Sequence, residues 1–355
     1  MSSSPTEIRL TFEPACRFEA IDVTRRLEAQ AGDVLRRHRK SFYCSPHTTA
    51  GYLHHSLLAR LHHRTDRLDL FFGAFRALFP QGGPYRHDQL HLRKELSEEQ
   101  REVEPRNGDS HLTFIGSGMR NAVTYRNRPD APVYFIDLDG TCDGTRRLRT
   151  TSVLAYDEED VVDRMAIPVP VSRHPIDSIN LADPRLGIVD AINQRLARAG
   201  LERGRVDLAL DPAERNAGLT VNEYETLLMR YDLVEVLRNP FKFAALKSRH
   251  MLDDPFAIPS KTINYAKYDF VRVMNSLMEA LRMNESALER LLAKVMAVPA
   301  RRFLRSRRVS FPASDHTGEG RARLVRGQYQ SPILVQWQSA EKQTRQVQVS
   351  LVRLR

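Results

Sequence analysis

The sequence predicts an α+β protein: antiparallel strands with helices, then a mainly helical region, then a closing β-hairpin. Three observations predict it. Up to about residue 160, short runs rich in β-branched and aromatic residues alternate with turn residues, as in Glu7–Phe12, Phe18–Val23, Ser41–Cys44 and Val133–Gly140. Between 161 and 310, apolar residues recur at helical spacings behind capping residues. From 311 to 355 strand-like runs return, in Ser331–Gln338 and Arg345–Leu354. These shifts divide the chain into an α+β domain (1–160), a mainly helical domain with a proline-rich connector (161–310), and C-terminal strands (311–355) able to pack on the first domain.

The first strand, Glu7–Phe12, alternates polar and apolar residues, as a strand with one wet face should. A second run ends at Val23, and Thr24 is placed to cap a helix from Arg25 to Ala31 that Gly32 stops. Phe42, Tyr43 and Cys44 suit a strand that Pro46 ends. Thr48 and Thr49 can cap a following helix, which leaves His47 between a buried strand and the positive end of a helix. An imidazole there suits a metal ion or an anion, although a histidine that merely closes a turn fits as well. From Tyr52 to about Phe79, leucines and phenylalanines recur at helical spacings, giving one long or broken helix. His54, His62 and His63 read as its surface, and His55 and His62 share a face without the acidic residue of an HExxH pattern.

Pro80–Pro84 is a loop, followed at once by Tyr85-Arg86-His87-Asp88. A charged stretch then reaches Asn107-Gly108-Asp109-Ser110-His111, with Leu112–Ile115 as a strand or a helix start. Val133–Gly140 is a strand ending in a turn, and its expected partner is Leu148–Tyr156, across a loop holding Asp143-Gly144. His47, His87 and His111 thus each stand beside a loop and an expected core element, with a polar companion close by.

The order of these motifs resembles the YjbQ family, the secondary thiamine-phosphate synthases. The similar pieces are Ile21-Asp22-Val23-Thr24, His47-Thr48-Thr49-Ala50-Gly51, Tyr85-Arg86-His87, Asn107 with Asp109-Ser110-His111-Leu112, and Asp137-Leu138-Asp139-Gly140 with Arg146, Arg147 and Arg149, over roughly residues 8–157. The resemblance implies an antiparallel sheet or sandwich, a trimer, and a pocket where three histidines cluster. It places that cluster on His47, His87 and His111. Three neutral imidazoles can hold a divalent metal such as zinc and leave a position open. Protonated, they can bind a pyrophosphate leaving group and act as general acid. Asp88 and Asp109 are then expected to orient His87 and His111, and Thr48, Thr49, Asn107 and Arg149, with Arg120, to contact a phosphorylated small-molecule substrate. Two departures stand out. The family's Asn-Glu pair after the HTTA run is replaced by His55 and Ser56, and its Gly-Thr-Trp-Gln element is missing around Asn127 to Pro132.

Residues 158–187 are acidic and then proline-rich, and read as a connector. Val189–Ala199 is a helix stopped at Gly200. Thr220-Val221-Asn222-Glu223 reads as a capping box opening a helix through Val236, with further helices near 268–281 and 284–295. Lys261–Tyr268 mixes lysine and tyrosine in a loop. Arg301, Arg302, Arg305, Arg307 and Arg308 cluster after the last helix, as a solvated helix end or a contact for nucleic acid. Trp337-Gln338 echoes the family's Trp-Gln pair. The C-terminal strands therefore either extend the first sheet or form a degenerate second copy.

Composition bounds the function classes. The 355 residues are 41% hydrophobic and 28% charged, which describes a folded chain and not a disordered one. No apolar run approaches the roughly 20 residues that span a bilayer, and the first residues lack a secretory layout, so a cytoplasmic protein is expected. Cys16, Cys44 and Cys142 are widely spaced and indicate neither a disulfide framework nor a cysteine zinc site. The net charge of +10, from 54 Lys and Arg against 44 Asp and Glu, suits nucleic acid or anionic substrates. An arginine-rich coding bias explains it equally. The functions left open are a metal- or anion-binding enzyme with thiamine-phosphate-synthase-like chemistry, a metal-dependent phosphoester hydrolase, and a non-catalytic nucleic-acid- or protein-binding protein.

Overall fold

A computed structural model describes residues 5–83, 85–92, 97–142, 144–173, 177–222, 306–315 and 321–355. It is mixed α and β, with antiparallel sheets, few helices and C-terminal strands. In the first half, β1 (Thr6–Phe12), β2 (Glu19–Asp22), α1 (Val23–Ala31), α2 (Val34–Arg37), β3 (Lys40–Cys44) and β4 (Ala50–Gly51) come first. Next are α3 (His55–Arg60), α4 (Thr65–Leu78), α5 (Glu98–Val103), α6 (Gly108–Ser117), β5 (Ala122–Arg126) and β6 (Tyr134–Asp137). The short pair β7 (Thr141–Cys142) and β8 (Thr145–Arg146) precedes β9 (Arg149–Tyr156). The strands form one antiparallel sheet in the order β1-β9-β3-β5 and a smaller one in the order β2-β6-β4.

Local chemistry explains these elements. In β1, Ile8, Leu10 and Phe12 are buried while Arg9 and Thr11 are exposed, the period-2 pattern of a half-covered strand. α1 is capped by Asp22, whose carboxylate accepts from the Arg25 N–H at 3.0 Å, and Gly32 ends it at φ 62°. Thr24, expected as that cap, instead accepts from the Val133 N–H and ties the helix to β6. The long helix expected from Tyr52 is two helices, broken where His62 and His63 take positive φ. No helix starts behind Thr48 and Thr49. Ala50–Gly51 instead pairs with β6, because Ala50 and Tyr52 belong to the fully buried core and a strand puts both there. Leu112–Ile115 lies inside a helix. Nor is β9 the hairpin partner of β6: they lie in different sheets, and the strands on either side of the expected turn, β7 and β8, pair with each other.

The second half runs through β10 (Glu159–Pro170), β11 (Asp177–Asn180), α7 (Ile188–Arg198), β12 (Arg203–Leu210) and β13 (Ala217–Asn222). It resumes with β14 (Arg308–Ser314), β15 (Arg323–Leu324), β16 (Gln330–Gln336) and β17 (Thr344–Leu354). Its sheets are ordered β10-β17-β12-β14-β15 and β11-β16-β13. The expected connector is therefore β10, whose edge position tolerates Pro168 and Pro170. Thr220, Val221 and Asn222 of the expected capping box lie in β13, where the Thr220 backbone pairs with Ile333. β16 and β17 do not form a hairpin with each other, being strands of separate sheets. The helices expected beyond Glu223, the Lys261–Tyr268 loop and Arg301, Arg302 and Arg305 lie outside the described residues.

Set side by side, the halves repeat one topology. β1-β9-β3-β5 matches β10-β17-β12-β14, and β2-β6-β4 matches β11-β16-β13, with α1 and α7 each following the second strand. The registers agree: Ala50 and Gly51 face Asp137 and Ile136, while Ala217 and Gly218 face Gln336 and Val335. Even the loop bonds agree, Leu138 N–H to Thr49 O at 3.0 Å and Trp337 N–H to Asn216 O at 2.9 Å. The chain is a tandem repeat. Each repeat has its own apolar core, and the two large sheets meet through Phe42, Cys44, Leu154 and Tyr156 against Val352 and Leu354. Arg205 crosses this seam, donating to Thr124 with its guanidinium over the Phe42 ring, while Glu159 of its own repeat also accepts from it. No helix among the described residues is long and apolar enough to cross a membrane.

Candidate functional site

The site is built at the ends of β6, β9 and α6. Asp137 closes β6 with no exposure to solvent, which alone would push its carboxyl well out of the usual range. Arg149, at the start of β9, answers it with Nε to Oδ2 at 2.6 Å and Nη2 to Oδ1 at 3.0 Å, a fork-on-fork pair. Burial still leaves the Asp137 carboxyl raised, with Arg149 drawing it back down. Arg149 also donates to the Asp139 carbonyl at 2.7 Å and to Thr49 at 3.3 Å. Asp139, likewise fully buried, receives Asn107 Nδ2 at 2.6 Å, Arg147, and Arg17 at 3.2 Å.

α6 and the turn at Arg86–Asp88 bring two histidines together. Gly108 begins it because a Cβ there would meet Tyr85 Cβ at 2.9 Å, and its N–H donates to Asp88 Oδ1 at 2.9 Å. Asp88 also meets His87 Nδ1 at 2.8 Å, and the His87 and His111 ring centroids are 5.0 Å apart. Asp109 is held by Arg17 at 2.8 Å, and burial raises its carboxyl against that guanidinium. Ser110 donates to the Leu138 carbonyl at 2.7 Å, fastening α6 to the end of β6.

His47 has a different setting. Its Nε2 accepts the Thr150 N–H at 2.9 Å, and burial together with Arg149 and Arg147 lowers its pKa to about 3. A neutral imidazole whose Nε2 accepts carries its proton on Nδ1, so neither nitrogen offers a lone pair to a metal. Among the described residues, no group of three His, Cys, Asp or Glu side chains is placed to hold a metal ion. The residues present do not fit a three-histidine metal centre.

The structure thus brings His87, His111, Asp88, Asp109, Asn107, Thr49 and Arg149 into one polar cluster. Thr48 lies half-buried on the His47 loop, and Arg120 is exposed on a bridge to Tyr52. Sequence reasoning did not assign Arg17, Asp137, Asp139 and Arg147 to the site. Two carboxylates flanking Leu138 at the end of an apolar strand, with three arginines soon after, were the available signal for three of them; Arg17 had none.

No family model and no curated protein matches the chain. Solved structures do. A YbjQ-like protein of unknown function from Sulfolobus solfataricus P2 is 20% identical, with a TM-score of 0.27, over 55% of this chain and 99% of its own. A hypothetical protein from Aeropyrum pernix K1 is 19% identical, with a TM-score of 0.27, over 43% of this chain and 99% of its own. An uncharacterized conserved protein of the yjbq/upf0047 family from Clostridium acetobutylicum is 18% identical, with a TM-score of 0.27, over 41% of this chain and 97% of its own. The third carries the YjbQ name of the family that the motifs resemble, and the first is described as YbjQ-like. The repeat registers give that resemblance a second location. Counted from the paired Ala50 and Ala217, the place of His55 is held in the second repeat by Asn222, with Glu223 next in sequence. By the same Asp137–Gln336 match, the stretch Asn127–Pro132 corresponds to residues 326–331, Arg-Gly-Gln-Tyr-Gln-Ser. The Asn-Glu pair missing from the first repeat thus stands at Asn222-Glu223 in the second.

Proposed function

We propose that the chain is an enzyme acting on a phosphorylated small molecule in the pocket of His87 and His111. The observation that supports this most is the convergence of two histidines, four carboxylates and three arginines on one largely buried site. Arg17 and Arg147 keep partial exposure, so they are the cations an incoming phosphate meets. Asp88 accepting from His87 Nδ1–H holds the tautomer whose Nε2 accepts or returns a proton. For the group transfer that the YjbQ resemblance implies, a ring nitrogen forms a bond to a methylene carbon as its C–O bond to pyrophosphate breaks. The pyrophosphate leaves with the electron pair, Arg17 and Arg147 take up its charge, and a protonated histidine gives it a proton.

Calorimetry with inorganic pyrophosphate tests the pocket. The wild type should bind it, and Arg17→Ala and His111→Ala should each weaken binding at least about tenfold, the scale of a lost charged hydrogen bond. No binding by the folded wild type overturns the reading. Strongly salt-dependent nucleic-acid binding in its place would favour the binding-protein alternative. Elemental analysis of the purified protein tests the metal directly, and the expected result is no stoichiometric ion lost on His47→Ala. Light scattering tests the trimer that the resemblance implies.

A further inference from the structure

The arginine socket of the first repeat has a counterpart in the second. Arg345 Nε donates to Gln336 at 3.1 Å and Nη2 to the Gln338 carbonyl at 2.6 Å, as Arg149 does to Asp137 and the Asp139 carbonyl. The next N–H, of Gln346, goes to Glu214 Oε1 at 2.7 Å, as that of Thr150 goes to His47. So Asp137, Asp139 and His47 correspond to Gln336, Gln338 and Glu214. The geometry is shared, while the two carboxylates at the strand end of the first repeat stand where the second has amides. The position of His47 is thus one that the fold fills with whatever side chain accepts that strand N–H.

The His47 loop is in turn held from the other repeat. Gln330, only 4% exposed, donates from Nε2 to the Ser45 carbonyl at 2.9 Å and the His47 carbonyl at 3.2 Å. Its Oε1 accepts the Gly327 N–H at 3.2 Å, so both ends of the amide are used. Gly327 packs so closely on this loop that a Cβ there would collide with the Pro46 carbonyl. Asn222 sits opposite Gln330 in register. These groups belong to the second repeat, and the atoms they hold belong to the first.

We propose that the second repeat is a fused partner subunit, and that Gln330 is a positioning residue setting the loop that carries His47. This goes beyond the proposed chemistry, because it concerns how the loop is held and not what binds. The test is residue-resolved hydrogen exchange and imidazole ¹⁵N spectra on the full chain. In Gln330→Met, which keeps length but loses all three bonds, the Thr150 amide should exchange at least about tenfold faster, the loss of one net hydrogen bond. The His47 ¹⁵N shifts should also leave the pattern of a neutral ring accepting at Nε2. Gly327→Ala, which pushes the same loop away at Pro46 while keeping the Gln330 side chain, should reproduce both changes and decides the matter if Gln330→Met does not fold. Wild-type exchange at Thr150 and unchanged His47 spectra in a folded variant overturn the proposal. Pyrophosphate should bind once per chain; two equivalents would give the second repeat a site of its own and overturn it too. Failure to bind pyrophosphate at all counts against the proposed function, while the exchange result stands independently.

Discussion

His47 carries a definite pH signature. Its pKa in the folded chain is about 3, from burial and the neighbouring Arg149 and Arg147, against about 6.5 for an ordinary histidine. Below pH 6.5 the unfolded chain takes up a proton that the folded imidazole refuses, so folding stability falls as pH drops from 6.5 toward 3. The loss should be roughly 1–2 kcal/mol between pH 6.5 and 4.5, and smaller in His47→Gln, whose side chain accepts the Thr150 N–H without titrating. Urea midpoints at the two pH values measure it. Arg149 makes a sharper case. Arg149→Leu strands the Asp137 carboxylate in the core and should cost about 3–5 kcal/mol in urea unfolding at pH 7. Of these residues, sequence reading found His47 and Arg149 but not what they do. Which nitrogen of a histidine accepts a strand N–H depends on a residue about a hundred positions away, and no local pattern encodes it.

Among the elements, those whose character is local were legible. Alternation marked β1, turn residues bounded β3 and β6, and Gly32 and Gly200 stopped their helices. Errors arose where pairing overruled propensity. Thr48-Thr49 and Thr220 read as helix caps, yet β4 and β13 run there because strands of the smaller sheets need partners. Prolines 168 and 170 read as a linker, yet an edge strand leaves them harmless. At α6 the constraint is close approach. Gly108→Ala drives a Cβ into Tyr85 and toward Asp88, so it should destabilise the protein by about 1–3 kcal/mol, as overpacking does. Thermal unfolding would show that, and pyrophosphate affinity should fall with it as His87 loses its support.

For the whole molecule, the repeat was the hardest feature to read, because matching strand orders emerge only once both sheets are assembled. Trp337-Gln338 pointed to a second copy, but that pair follows β16, whereas the stretch matching Asn127–Pro132 is 326–331, at its start. The seam predicts how the halves behave apart. A fragment ending at residue 157 exposes Phe42, Cys44, Leu154 and Tyr156 on one sheet face. It should self-associate or precipitate at concentrations where the full chain stays dispersed, as sedimentation would show. A fragment that remains a folded monomer would mean the seam contributes little.

Tandem repetition also alters what mutation can do to this contact. When identical subunits meet, one gene writes every surface at once, so a tyrosine changed to valine is changed in all of them. Here Tyr156 and Val352, at matching places on the two sides of the seam, are separate codons. One side is free to keep its residue while the other changes toward whatever best grips its neighbour, and dilution cannot separate them.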